Sequence, residues 1–242
     1  MTRPSDTSAL IELEDVRKTY LLGEVPLPVL KGVSLEIHPG EMVSLMGASG
    51  SGKTTLMNLL GCLDRPTSGS YLLDGEEVAG MSRDRLARVR SQKIGFVFQN
   101  FNLLARTSAV DNVLMPLEYS LSRPNDSAAR DRAVELLQRV GLGDRLDHEP
   151  SQMSGGQQQR VAIARSLINQ PKLLLADEPT GNLDSHTSKE ILELFQRLNA
   201  EEGITILLVT HDANVGATAH RKIVMRDGLI ESDGAGSLAT AH

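Results

Sequence analysis

The sequence has no tryptophan, and aromatic residues make up only 3% of it. That leaves few flat rings for the stacking platform on which single-stranded nucleic acid is bound. A single cysteine, Cys62, excludes a disulfide within the chain, and the count fits a reducing compartment. No apolar run approaches the roughly 20 residues of a membrane-spanning helix. The longest, such as Leu173–Ala176 and Ile206–Val209, are short. Met1–Ser8 is polar, carries Pro4 and lacks the apolar core of a secretory leader. Basic excess is also missing, because the formal net charge is −6. A duplex-DNA binder usually presents a basic face. The expectation is a soluble protein that reaches a membrane, if at all, by docking onto something else.

What is present is enough apolar residue, 40% of 242, for a sizeable core. Short apolar runs at Ile11–Val16, Val33–Ile37, Met42–Met46, Ser70–Leu73, Ile94–Phe98, Lys172–Ala176, Thr205–Val209 and Lys222–Met225 predict strands. The runs at Lys172 and Thr205 are nearly continuous, as in parallel strands covered on both faces. Helical patterns occupy Lys53–Leu60, Arg83–Ser91, Asp126–Val140, Gly156–Ile168, Ser188–Ala200 and Ala213–Ala219. Asp126 is the expected cap of its helix, with Gly141 and Gly143 ending it. The reading is an α/β domain over residues 11–232, with a helical subdomain at about 100–168 inserted in the core. Residues 1–10 and 233–242 read as flexible ends.

Residues 47–54 read Gly-Ala-Ser-Gly-Ser-Gly-Lys-Thr and match G-x-x-x-x-G-K-[ST] at every fixed position. The strand Met42–Met46 precedes the motif and a helical pattern follows it. Glycines 47, 50 and 52 let backbone N–H groups turn inward around phosphate oxygens. The helix start adds a positive end to the same place. Gly47, Ala48, Ser49, Gly50, Ser51, Gly52, Lys53, Thr54 and Thr55 form the expected nucleotide cradle. Lys53 meets the β- and γ-phosphates, and Thr54 offers a hydroxyl to Mg²⁺.

Such a loop needs carboxylates at a strand end. The run Lys172–Ala176 delivers Asp177 and Glu178, two acids that are costly at an apolar strand unless they have a task. Asp177 suits the Mg²⁺ shell. Glu178 suits a general base beside the γ-phosphate.

Between these motifs stands Met153-Ser-Gly-Gly-Gln157, followed by Gln-Gln-Arg-Val-Ala-Ile-Ala-Arg165. It resembles the signature motif of ATP-binding cassette ATPases and departs from the usual Leu-Ser-Gly-Gly-Gln only at Met153. The resemblance implies the P-loop fold of that family: a mixed sheet core, an N-terminal antiparallel β part and an inserted helical subdomain. It implies a homodimer around two ATP molecules, in which Ser154, Gly155, Gly156 and Gln157 close over the ATP of the other copy. It further implies that Gln99 joins Mg²⁺ and senses the transporter. Asp184, in Gly-Asn-Leu-Asp, would touch the opposite site, and His211 would contact the γ-phosphate. Tyr20 would stack on adenine. Lys53, Gln99, Glu178 and His211 are then the catalytic set, with Thr54, Gln99 and Asp177 around the metal.

Leu60-Gly-Cys-Leu-Asp-Arg-Pro-Thr-Ser-Gly69, Ile94–Leu104 and Asp111–Leu117 resemble the macrolide-export and lipoprotein-release group (MacB-like, LolD-like, with FtsE a relative). The resemblance implies a separate membrane permease of MacB/FtsX type and a place on the inner face of the cell membrane through it. The apolar residues Phe98, Phe101, Leu103 and Leu104 have two readings, core or a groove for a short permease helix. Cys62 reads as buried packing within the helix after the phosphate loop. The competing function is a clamp ATPase on DNA or ribosomes. No long coiled-coil insertion, tandem cassette or basic charge supports it. A nucleotide-binding subunit without catalysis is disfavoured by the intact Lys53, Asp177, Glu178 and His211.

Overall fold

The structure, a computed structural model, describes residues 8–120 and 123–235. The elements in chain order are β1 (Ile11–Leu22), β2 (Val25–Ile37), β3 (Met42–Met46), α1 (Lys53–Leu60), β4 (Ser68–Leu73), β5 (Glu76–Glu77), α2 (Arg83–Lys93), β6 (Ile94–Phe98), α3 (Ala109–Leu114), α4 (Asp126–Arg139), α5 (Gly155–Leu167), β7 (Leu173–Asp177), α6 (Ser185–Glu202), β8 (Thr205–Val209), α7 (Ala213–Gly216), β9 (Arg221–Arg226) and β10 (Leu229–Ala235). Short 3-10 turns lie at Met115–Tyr119 and Pro150–Gln152. The chain forms two compact units. One holds the residues up to Leu86 and those from Val209 on; the other is Ala87–Leu208.

In the first unit, β2, β1, β4 and β5 form an antiparallel sheet in that order. Ile11 and Leu13 are buried while Glu12 and Glu14 are exposed, the alternation of a half-covered strand. Ile37, Leu35, Leu73 and Tyr71 stand opposite them in register. The hairpin β1–β2 runs well past the predicted strand ends and closes at Gly23–Glu24. Its tip bares Leu21, Leu22 and Val25, each about two-thirds exposed or more. A second set of strands, β10, β9 and β3, places β3 parallel to β9 and β10 antiparallel to it. All five residues of β3 are buried. In the other unit β8, β7 and β6 are neighbours, with β6 and β7 parallel. Leu173–Ala176 are fully covered, so here the continuous apolar run does report a strand buried on both faces. Among the described residues between β6 and β7 there are helices and loops but no strand.

Four expectations need correction. Asn125, not Asp126, caps α4: its side chain accepts from Ala128 N at 2.9 Å, and Asp126 is the first helical residue. Cys62 is buried but lies beyond α1, in left-handed backbone after Gly61. Leu10 is buried and its N–H donates to Ile37 O at 2.8 Å, so it belongs to the sheet, not to a loose end. Likewise β10 continues through residues 233–235. Its Asp233 carboxylate accepts from Arg221 at 2.7 and 2.6 Å, and Asp227–Gly228 is the two-residue turn that starts it. The rest of the two predicted flexible ends, residues 1–7 and 236–242, lies outside the described residues.

Candidate nucleotide site

The first unit carries the phosphate-loop residues. The buried strand β3 ends at Met46 and releases the chain at Gly47, whose φ of 152° is rare for a residue with a side chain. A Cβ there would collide with Met225 O and lie 2.7 Å from Ser51 Oγ. Gly52, also at positive φ, precedes α1, and no side chain caps that helix. The first-turn N–H groups of α1 therefore have neither an acceptor one turn back nor a capping side chain. Lys53 Nζ folds over the loop, donating to Gly47 O at 2.7 Å and Ala48 O at 2.9 Å. Ser51 Oγ is buried and makes no hydrogen bond. An uncapped helix start, an ammonium and an unpaired hydroxyl suit one kind of guest, a phosphate chain. Ala48, Ser49, Gly50 and Thr54 are exposed at the mouth.

The same unit holds Tyr20 and His211. The Tyr20 hydroxyl donates to Asp64 Oδ2 at 2.9 Å, and Lys18 Nζ donates to Asp64 Oδ1 at 2.6 Å and to Arg65 O at 2.7 Å. The Lys18 ammonium also lies over the Tyr20 ring, 4.8 Å from its centroid. Partial burial, then the Asp64 bond, raises the Tyr20 phenol above its ordinary value. Burial pushes the Asp64 carboxyl up, but bonds from Lys18, the Arg65 N–H and Tyr20 outweigh it and leave it below the usual range. Thr210 N–H donates to Leu45 O at 3.1 Å, so His211 leaves its strand beside the end of β3, where the phosphate loop starts. Asp212 then caps α7 through Asn214 N.

The second unit gathers the remaining candidates. Phe98 stands opposite Asp177 in the parallel register of β6 and β7. Gln99 and Glu178 thus leave adjacent strand ends side by side. Glu178 has φ 44°, a left-handed conformation that costs a non-glycine residue about 1 kcal/mol or more. Gln99 Nε2 donates to Asn182 Oδ1 at 3.1 Å, and Asn182 Nδ2 donates to Gln99 O at 3.1 Å. A Cβ on Gly181 would sit 2.6 Å from Gln99 Nε2.

Ser154 caps α5 in a reciprocal box: Ser154 Oγ accepts from Gln157 N, and Gln157 Oε1 accepts from Ser154 N. Gly156 is buried, and a Cβ there would collide with Thr187 Cγ2. Thr187 in turn donates its hydroxyl to Asp184 at 2.6 Å, and Asp184 caps α6 through His186 N and Thr187 N. Those bonds, the Thr187 hydroxyl first, lower the Asp184 carboxyl. Gln99, Asp177, Glu178, Asp184 and the Ser154–Gln157 turn are therefore tied together in one unit, while Tyr20, the residues of 47–55 and His211 are gathered in the other.

The loop after Gln99 is held by two residues that the sequence reading left without a role. Arg165, largely buried, donates to Phe101 O and Asn102 O, and burial lowers its guanidinium. Asn112, fully buried, accepts from Leu104 N and donates to the Leu104, Thr107 and Ser108 carbonyls. Polar side chains on the apolar faces of α5 and α3 were the available clue. Phe101 packs near Gly155 in positive-φ backbone, whereas Leu104 is half exposed. Neither Phe101 nor Leu104 is part of the buried core. Nearby is an open groove of about 600 Å³, floored by Phe96, Phe98, Met115 and Pro116 and flanked by Arg88 and Tyr119. The Phe96 and Phe98 rings stack with centroids 5.6 Å apart. Among the described residues no helix is long and apolar enough to cross a membrane.

Comparison with known proteins adds independent findings. The family model described as ABC transporter matches residues 30–181. The macrolide export ATP-binding/permease protein MacB of Syntrophobacter fumaroxidans is 64% identical over 93% of this chain, which spans 31% of that protein. The chain covers about a third of several such MacB relatives. An ABC transporter ATP-binding protein of Thermotoga maritima, itself uncharacterised, is 55% identical over 92% of this chain and 94% of its own length. Among solved structures, a dimeric post-hydrolysis state of the ATP-binding cassette MJ0796 bound to ADP and Pi aligns with a TM-score of 0.85 at 44% identity. It covers 96% of this chain and all of that one. With the phosphate cradle, the strand-end acids and the capped Ser-Gly-Gly turn in hand, the chain belongs to the ABC transporter family as an ATP-binding cassette ATPase of the MacB-like group.

Proposed function

We propose that this cassette hydrolyses Mg-ATP as a head-to-tail homodimer and drives a membrane permease of MacB/FtsX type, on the inner face of the membrane. The observation that carries the reading is the phosphate cradle: a Gly47 that admits no side chain, uncapped N–H groups at α1, and Lys53 folded over the loop. Residues Gly47–Thr55 hold the phosphates and Tyr20 stacks on adenine. Glu178 takes the proton of the attacking water, and His211 orders the γ-phosphate.

Among the described residues no three His, Cys, Asp or Glu side chains cluster as a metal site. That suits Mg²⁺, which is held by one or two protein oxygens together with phosphates and waters. Thr54, Asp177 and Gln99 are its proposed neighbours, and when bound the ion offsets phosphate charge. The Ser154–Gln157 turn and Asp184 act on the ATP of the other copy. The dimeric, product-bound state of the MJ0796 cassette supports the two-copy arrangement. The fused permease in the MacB relatives supports the membrane partner. The groove at Phe96, Phe98 and Met115 is the proposed seat of a permease helix. Export of a macrolide-like drug, release of a lipoprotein and transmission of force to an outer domain all fit this machinery.

A steady-state ATPase assay tests the core of the proposal. Magnesium-dependent phosphate release that Lys53→Ala lowers at least about 100-fold is the expected result. Equal turnover in the variant would sink the site assignment. Met115→Ser with Tyr119→Ser, two changes in the groove lining, should leave ATP binding intact and weaken co-purification with the permease; unchanged co-purification would place the seat elsewhere.

A further inference from the structure

Tyr20 does not stand alone in its unit. Its hydroxyl is fixed by Asp64, its ring is covered by the Lys18 ammonium, and that ammonium is locked to the same carboxylate. The Lys18 side chain is only 12% exposed, so this is a set geometry and not a surface ion pair in free rotation. Asp64 is anchored too: its N–H and that of Leu63 donate to Asn58 O on α1.

We propose that Asp64 and Lys18 are positioning residues for the nucleotide base. They lock the Tyr20 ring in advance, close one face with the ammonium so that a base stacks only on the other, and tie the ring through Asp64 and Asn58 to the helix that follows the phosphate loop. This rests on the proposed ATP site. The physical reason is pre-organisation. A tyrosine that must be immobilised when a base arrives weakens binding by the lost rotamer freedom, and one already fixed does not. A cation on the far face also draws electron density from the ring, which favours stacking against an electron-rich purine.

The test uses the full chain and two probes, Mg-ATP and inorganic tripolyphosphate, which has the phosphates but no base. Calorimetric Kd values are compared for wild type, Asp64→Asn, Tyr20→Phe and the double variant. Each single change is expected to weaken ATP about fivefold, the scale of one released side chain. Tripolyphosphate should bind as before, and the double variant should be no worse than either single one. A purely structural role for Asp64 would weaken both probes together, and that result overturns the proposal. So do unchanged ATP binding and effects that multiply in the double variant. If Asp64→Asn does not fold, Lys18→Met carries the same expectations. A wild-type chain that binds neither probe would remove the ATP site and this proposal with it. Binding of both without the selective loss removes this proposal alone.

Discussion

Gln99 and Asn182 clasp each other in both directions: the Gln99 amide donates to the Asn182 side-chain oxygen, and the Asn182 amide donates to the Gln99 carbonyl, each at 3.1 Å. Asn182 also reaches Asn100 Oδ1 at 2.8 Å. The loop after β6 and the turn after Glu178 are thus bound as one body.

Asn182→Ala removes the clasp but leaves every proposed nucleotide contact. Net hydrogen-bond contributions of about 1 kcal/mol each predict looser loops, not unfolding. ATPase activity should drop about fivefold with unchanged ATP affinity, and amide exchange should rise over residues 99–103. Unaltered exchange there would mean that the clasp does not hold the loop.

Glu178→Gln keeps shape and hydrogen bonding but removes the base. ATP binding should persist, hydrolysis should slow by at least about 100-fold, and a dimer should accumulate in ATP by size-exclusion chromatography. Normal turnover in this variant would assign the base elsewhere.

Gly156→Ala sets a methyl group against Thr187 Cγ2, where no space exists. Overpacking of this kind costs about 2 kcal/mol. Adding Thr187→Ser removes the opposing methyl yet keeps the hydroxyl that Asp184 accepts from. The single variant should melt lower and lose ATPase activity; the double variant should recover most of its melting temperature. Failure to recover would locate the strain outside this pair.

Glu77 gives a pH prediction. Burial pushes its carboxyl up, but bonds from Ser70 and the N–H groups of Ala79, Tyr71 and Val78 outweigh it and hold it below the usual range. A carboxyl depressed in the folded state stabilises fully above its unfolded value and loses that effect as pH falls through the folded one. Glu77→Gln should therefore lower the thermal midpoint at pH 7. The gap to wild type should close as pH falls through and below the carboxylate range. A gap independent of pH would show that charge at Glu77 is not involved.

The phosphate loop was readable because it is local: strand, glycines, lysine and helix are contiguous, and β3 and α1 have the predicted bounds. The buried runs at Leu173 and Thr205 were readable for the same reason. The long β1–β2 ribbon was harder, since Leu21, Leu22 and Val25 face solvent and Pro26 and Pro28 argue against a strand interior. β10 was missed although Asp227–Gly228 is a strong hairpin signal, because the glycine and serine after it read as a tail. Asn112 and Arg165 were invisible as a pair. Their partners are backbone groups, which carry no sequence mark, and Arg165 lies more than 60 residues from the loop it holds.

The prolines of β2 have a colloidal consequence. Pro26 and Pro28 pair with Leu21 and Thr19, and a proline nitrogen has no hydrogen to give to either neighbour. β2 is the last strand of its sheet, so its tip combines bare leucines with an edge that cannot template another chain. The greasy ribbon can make side-chain contact with a partner, but it is blocked from growing into a cross-strand polymer.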